Sequence, residues 1–450
     1  MWLIFFSRML SASIGPSNSL VWTLFTPTII VRPAQKRNTG FFENRGHRRA
    51  HGTQLAVDAT PATTVIFPQR KRSAPRRWQR TRSMKASMFA AMGYSKRHTF
   101  PSTWPVAPVH ADPQTSVESY REGMEECELA EEMGFDWLSF SEHHYSGRIP
   151  TGTPAVMASA VAERCRKITI ALLGHLLPLN NPVRVAEELA LLDNLSDGRL
   201  VAGFLRGTPN EDQVYTMNPA EGRGRLLEGM DLILRALTEP EPFSWEGRYY
   251  QFRTVAVWPR PVQQPTPPVI VGTRSDDTIR YAAEHRLGLG VSFLPVEQVQ
   301  TITDKYRDWC EEAGWTPGPD NIVYRGSIYV AETDELAQEW FEGLQQSKPG
   351  PNIPLRRTVA EAIGAARAGN VFDLRGVVAG SPEGDVVGNS LGINFLGSPD
   401  TVAKQIKEFH DRCGVGVVDM PFQQNKVDHE AVLKEIELFG RAVIPQLREF

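Results

Sequence analysis

The stretch GFDWLSFSEHH, Gly134 to His144, decides how this chain is read. Its apolar run, Phe135 to Phe140, follows a helical segment and Gly134, and stops at Glu142-His143-His144. A buried strand ending in three titratable groups marks an active-site edge, because sheets and barrels of the α/β class carry their chemistry at strand C-termini. The surrounding sequence repeats the same unit. From Met84 onward strand patterns alternate with helix patterns, the signature of a parallel α/β fold.

The strands read as Lys85–Met92, Phe135–Ser141, Ile168–Leu173, Arg199–Phe204, residues 267–272, Leu287–Phe293, Asn321–Ala331 and Val415–Met420. Helices are expected at 116–133, 154–165, 182–194, 224–237, 275–285, 296–313, 335–345, 399–413 and 428–447. Ser116 is the expected N-cap of the first and Gly134 its C-cap. On that helix Val117, Tyr120, Met124, Cys127 and Met133 share a face, with Glu118, Glu122, Glu125 and Glu128 in water. FSWEGRYYQF reads as a hairpin turning at Glu246-Gly247. Residues 346–397 break the rhythm and read as an insertion near strand seven. Eight strand–helix pairs without a second core predict a (β/α)8 TIM barrel over 84–450. A doubly wound sheet would more often show a glycine-rich phosphate loop after its first strand.

Residues 1–83 are set apart by charge. They hold 14 Lys and Arg against Glu43 and Asp58, a charge of +12, while the remainder holds 35 basic and 50 acidic residues, −15. This Arg-rich stretch lacks a sustained period of 3.6 or 2 and reads as a disordered extension. It is either transit-like or upstream sequence not native to the protein, and Met84, just before the first good strand, favours the second. Its apolar runs, 2–6 and 20–31, fall short of the roughly 20 residues that span a bilayer. The acidic body excludes nucleic acid as a partner. Cys127, Cys165, Cys310 and Cys413 show no metal-ligand spacing and fit a reducing, cytoplasmic setting. GxGxxG, GxxxxGK[ST] and HExxH are all absent from the sequence, so a Rossmann nucleotide unit is not expected.

Four stretches together resemble the bacterial luciferase-like family of flavin-dependent monooxygenases. They are GFDWLSFSEHH (134–144), LPLNNPVRVAEELALLDNLSDGRLVAGFLRG (177–207), GRLLEGMDLI (224–233) and PPVIVGTRSDDTIRYAAEH (267–285), in that order along the chain. The resemblance implies a flavin-dependent monooxygenase on a TIM barrel. Reduced FMN and O2 would oxygenate a small organic substrate through a C4a-peroxyflavin. By the same resemblance His143 is the general base, a role that suits an imidazole near neutral pH. Glu142 and His144 are supporting candidates, and neighbours in an extended segment point to opposite faces.

Cofactor contacts follow residue by residue. Arg206 and Arg225 match arginines that hold the FMN phosphate, which a guanidinium fork suits. Ser275 and Thr278 match the start of a helix whose dipole favours a phosphate. Leu173-Gly174 matches a bulge and non-prolyl cis peptide beneath the ring, and Ser292-Phe293 a segment beside it. Asp212 matches an acidic residue near the flavin pocket. Two positions depart from the family pattern. Leu205 stands where luciferase has a cysteine, so no reactive thiol is expected there. Arg274 stands where luciferase has a glutamate, adding positive charge near the phosphate.

Arg274 also keeps F420 open as an alternative cofactor. A non-catalytic barrel subunit is a second alternative, against which His143 and Arg206 both stand. A metal-dependent hydrolase barrel would need inward ligands that the sequence lacks. A separate flavin reductase or bound NAD(P)H is expected to supply electrons, and the protein is expected to form a homodimer. Phe100 and Trp104 in the loop 95–115, together with the insertion, are candidate lids over the pocket.

Overall fold

A computed structural model describes residues 10–14, 20–24, 84–94, 105–208, 211–218, 220–346, 392–422 and 428–450. Phe100, Trp104 and residues 347–391 lie outside them, which takes in much of both candidate lids. In the N-terminal extension, β1 (Leu10–Ile14) and β2 (Leu20–Leu24) pair antiparallel. The sequence reading placed no element there, since five-residue strands are too short to show a sustained period.

The barrel begins at β3 (Lys85–Phe89) and continues through β4 (Trp137–Phe140), β5 (Thr169–Leu176) and β6 (Leu200–Leu205). A hairpin, β7 (Phe243–Glu246) and β8 (Gln251–Val255), precedes β9 (Val269–Gly272) and β10 (Gly288–Ser292). Then come β11 (Ile322–Arg325), β12 (Ser327–Val330), β13 (Asn394–Gly397) and β14 (Val417–Met420). Strands β3, β4, β5, β6, β9, β10, β11 and β14 close in that order into an eight-stranded, all-parallel barrel. This is the (β/α)8 architecture the sequence predicts.

The helices are α1 (Pro113–Glu132), α2 (Pro154–Arg164), α3 (Pro182–Leu195), α4 (Gly222–Thr238) and α5 (Asp276–Glu284). They continue with α6 (Val296–Glu312), α7 (Asp334–Gln346), α8 (Pro399–Cys413) and α9 (His429–Leu438). A π turn, Phe439–Val443, leads from α9 into α10 (Ile444–Leu447). The first helix starts earlier than expected: Asp112, not Ser116, is its N-cap, its carboxylate accepting the Thr115 N–H at 2.6 Å. A proline at the first helical position tolerates this start, because that N–H needs no partner. Val117 is exposed and Glu126 is buried, so the apolar face is rotated from the predicted one.

The expected seventh strand is two strands. Gly326 breaks it, and β12 turns away to pair in parallel with β13, forming a small sheet beyond the barrel. Period alone could not show this, because both halves are equally apolar.

Inside the barrel two layers are stacked. Near the strand starts lie Trp137, Ala171, Val201, Ile270, Val323 and Val417, an apolar layer that excludes water. One step nearer the C-terminal ends, Asp419 accepts from Ser87 Oγ (2.7 Å), Ser139 Oγ (2.7 Å) and Arg325 Nε (2.7 Å). Arg325 stacks on Phe89, 3.9 Å from the ring centroid, and its Nη2 reaches the Leu173 carbonyl at 3.3 Å. The second layer is therefore a buried, hydrogen-bonded ion pair that props up the end of β5. It is legible only in three dimensions, since Ser87, Ser139, Arg325 and Asp419 sit on four separate strands.

Candidate functional site

Glu142, His143, His144, Arg206, Arg225, Arg274, Ser275, Thr278 and Ser292 lie at or just beyond a strand C-terminus, or in the first turn of the helix that follows, and Leu173-Gly174 lie in the C-terminal half of β5. The three titratable groups after β4 divide by environment. Glu142 is buried: Oε2 accepts from the Leu176 N–H at 2.9 Å and from Asn180 Nδ2 at 2.9 Å, and Oε1 lies 2.9 Å from His144 Nε2. His144 is also buried, with Gly152 packed against its ring; a Cβ on that glycine would come 3.3 Å from Nδ1. These two side chains tie the end of β4 to the end of β5. Glu142 thus orients His144 and not His143.

His143 differs. Its side chain keeps 36% of its exposure, and its Nδ1 lies 3.4 Å from Glu211 Oε1. Alternation along the extended segment produces this split, as the sequence predicts. Glu211 opens the segment Glu211–Thr216 between β6 and α4, made of 3-10 turns broken at Val214 and Tyr215. It is itself buried, and Thr208 Oγ1 donates to its second oxygen. Burial pushes its carboxyl up, but the bonds from His143 and Thr208 and the nearby histidine charges outweigh this and hold it below its ordinary value. Sequence reasoning missed Glu211, because an acid in a polar loop carries no periodic signal.

The next residue along reaches the other way. Asp212 is buried and accepts from Arg206 Nη2 at 3.1 Å. Burial is the largest influence on its carboxyl and Glu211 adds to it; against the pull of Arg206 they raise it to about 6. Its Oδ1 is buried without a hydrogen-bond partner among the described residues. One short segment therefore links the end of β4, through Glu211 and His143, to the end of β6, through Asp212 and Arg206.

Arg206 lies over the first turn of α4, where a Cβ on Gly222 would come 2.9 Å from its Nε. Arg225, one turn along, pairs with Glu221 at 2.8 Å, and its guanidinium carbon lies 5.6 Å from the Tyr249 ring centroid and 5.7 Å from that of Tyr250 at the β7–β8 turn. The starts of α4 and α5 are joined by Arg223 and Asp277 at 2.8 Å. Ser275 precedes α5 and donates from Oγ to Thr278 Oγ1 at 3.0 Å, and Thr278 is buried. Arg274 is exposed and reaches the Ser292 carbonyl at 3.2 Å, so it bridges the ends of β9 and β10. Asp276 and Asp277 in the same turn offset part of the positive charge that Arg274 adds.

The Leu173–Gly174 peptide is cis, at the register break between Leu172 and His175. Gly174 faces the backbone of β6, where a Cβ would sit 2.3 Å from the Gly203 carbonyl oxygen. Only glycine fits there. Among the described residues all four cysteines are buried free thiols, and burial pushes Cys310 and Cys413 up to about 11. Thiolate chemistry near neutral pH is thus disfavoured at these positions. Among the described residues no group of three or more His, Cys, Asp or Glu could hold a metal ion, and no helix is long and apolar enough to cross a membrane.

The chain is similar to an Acinetobacter baylyi protein described as a flavin-dependent trigonelline monooxygenase, oxygenase component. They share 27% identity over 264 residues, 54% of this chain and 72% of that protein. Among solved structures it is similar to the monooxygenase RslO1 from Streptomyces bottropensis, at 25% identity and a TM-score of 0.62, covering 80% of this chain and 99% of that one. It also shares its fold with the coenzyme F420-dependent tetrahydromethanopterin reductase from Methanopyrus kandleri, at 19% identity and a TM-score of 0.53, covering 81% and 99%. The barrel by itself thus does not choose between FMN and F420. The family described as luciferase-like monooxygenase matches residues 103–415. By that match, the chain belongs to the luciferase-like monooxygenase family.

Proposed function

We propose that this protein is the oxygenase component of an FMN-dependent monooxygenase that inserts one atom of O2 into a small organic substrate. The observation that carries this reading is the Glu211–Asp212 link, in which two consecutive acids pair with a half-exposed histidine after β4 and with an arginine after β6.

The residues present fit the cofactor. Arg206, beside the first turn of α4, offers a guanidinium for a phosphate, with Arg225, Ser275 and Thr278 as neighbours on α4 and α5. Gly174 and Gly203 bring the backbones of β5 and β6 together without side chains between them, which leaves room for a ring over the Leu173–Gly174 peptide. Ser292 and Arg274 edge the same face. Reduced flavin, when bound, supplies the electrons that activate O2.

The protein's own residues do the rest. His143 accepts a proton at Nε2 and returns it, while Glu142 and His144 hold the β4–β5 ends still. The similarity to an oxygenase component supports a separate reductase as electron source. A homodimer and a cytoplasmic setting belong to the same reading.

Anaerobic titration with reduced FMN and with reduced F420, followed by air and a substrate panel read by product mass, tests the proposal. FMN binding with a product heavier by one oxygen atom is expected. Tight F420 binding without FMN binding would overturn it in favour of an F420-dependent oxidoreductase.

A further inference from the structure

We propose that Glu211 is the positioning residue for His143: its carboxylate accepts from the Nδ1–H, which stays on the ring, and leaves Nε2 as the basic atom. The inference rests on the oxygenase reading for its kinetic consequence but not for its structural content.

The two carboxylate–histidine pairs on this face differ in what they can do. Glu142 and His144 are both buried, and Glu142 spends its oxygens on Leu176, Asn180 and His144 together. That pair is a strut. The Glu211–His143 pair has a buried acid and a half-exposed base: the two side chains retain 7% and 36% of their exposure. Glu211 is braced by Thr208 on its other oxygen, so the carboxylate cannot turn away from the imidazole without losing that bond. Its lowered carboxyl supports a charged acceptor at neutral pH.

The chemistry follows from the geometry. The Nδ1–Glu211 separation is 3.4 Å, longer than a tight hydrogen bond, as is common before substrate binds. With the Nδ1 proton directed at a carboxylate, the Nε2 lone pair stays free. When Nε2 takes a proton, a new N–H bond forms and the donor atom keeps the bonding pair. The imidazolium charge is then balanced by Glu211, and the proton leaves by the same atom. Without Glu211 the ring is free to adopt the other tautomer, in which Nε2 already carries hydrogen and cannot act as a base.

The test uses the whole chain with 15N-labelled histidine and no flavin, with His143 signals assigned from H143Q. In the wild type, nitrogen shifts should show hydrogen on Nδ1 and a bare Nε2, and E211A should lose that preference. With FMN, a reductase and the substrate found in the panel, E211A should lower kcat about 10- to 100-fold, with KM and FMN affinity changed less than about twofold. E211D should restore part of the loss. Should E211A fail to fold, the isosteric E211Q carries the test, because it removes the charge behind the imidazolium and should show the same loss in kcat at unchanged KM. A wild-type histidine with hydrogen on Nε2, an E211A spectrum identical to wild type, or unchanged kcat in both E211A and E211Q would overturn the proposal. The tautomer readout needs no cofactor, so absence of FMN binding would overturn the oxygenase reading while the spectra still decide the role of Glu211.

Discussion

Asp419→Ala is the substitution whose cost the structure sets most directly. Asp419 is fully buried and accepts three hydrogen bonds of 2.7 Å, from Ser87, Ser139 and Arg325. The Arg325 side chain keeps only 13% of its exposure. Removing one partner of such a pair strands the other charge, which costs about 3–5 kcal/mol. Two serine hydroxyls lose an acceptor as well, but they can turn to other partners, so the guanidinium dominates. Domains are stable by only about 5–15 kcal/mol, so the loss takes a large share of the total.

Reversible urea unfolding followed by tryptophan fluorescence suits the measurement, since Trp137 lies in the apolar layer beneath the pair. With a slope near ~3 kcal/mol/M, the midpoint should fall by roughly 1–1.7 M. The double variant Arg325→Met/Asp419→Leu should recover most of this, because packed apolar residues avoid the desolvation cost of the charges. A loss below about 1 kcal/mol in Asp419→Ala, or a double variant no better than the single one, would refute the argument that an unpaired buried charge sets the cost.

Other outcomes follow from the same structure. His429 at the start of α9 lies 3.0 Å from Glu126 and 3.1 Å from Glu125 on α1, with Glu122 nearby; chiefly through the Glu126 bond it is raised to about 9. A raised histidine stabilises fully below its unfolded value near ~6.5, and that contribution disappears as pH climbs through about 9. The urea midpoint of the wild type should therefore drop more between pH 6 and 9.5 than that of His429→Gln; equal drops would remove the α1–α9 clasp as the cause. Gly174→Ala drives a Cβ to 2.3 Å from the Gly203 carbonyl oxygen, where backbone faces backbone, and should cost about 3 kcal/mol or more in the same assay. Arg206→Ala should weaken FMN about 10- to 100-fold, the worth of one charged hydrogen bond, while changing riboflavin little; equal weakening of both would contradict a phosphate contact.

Strand and helix order were legible because barrel strands are buried on both faces and their helices on one, two patterns with distinct periods. The C-terminal face was legible for the same reason, since each strand ends where its apolar run stops. GFDWLSFSEHH alone placed three titratable groups on that face, and alternation separated His143 from His144. Errors fell where local sequence is silent. Asp112 and Ser116 are equally good caps, and the choice fell to the proline between them. The break at Gly326 depended on a partner strand, β13, that lies far along the chain.

The amino-acid sequence by itself determined the barrel, its order of elements and the rim on which the candidate site residues gather, because periodicity and strand ends are local properties. Only the tertiary structure decided which acid serves which histidine. Glu142, next in sequence to His143, bonds instead to His144, while Glu211, from a loop beyond β6, reaches His143. The Arg325–Asp419 layer under the site was likewise decided only by closure of the barrel. Side chains on separate strands meet only when the sheet curls shut, and no pattern along one strand records which neighbour it will face.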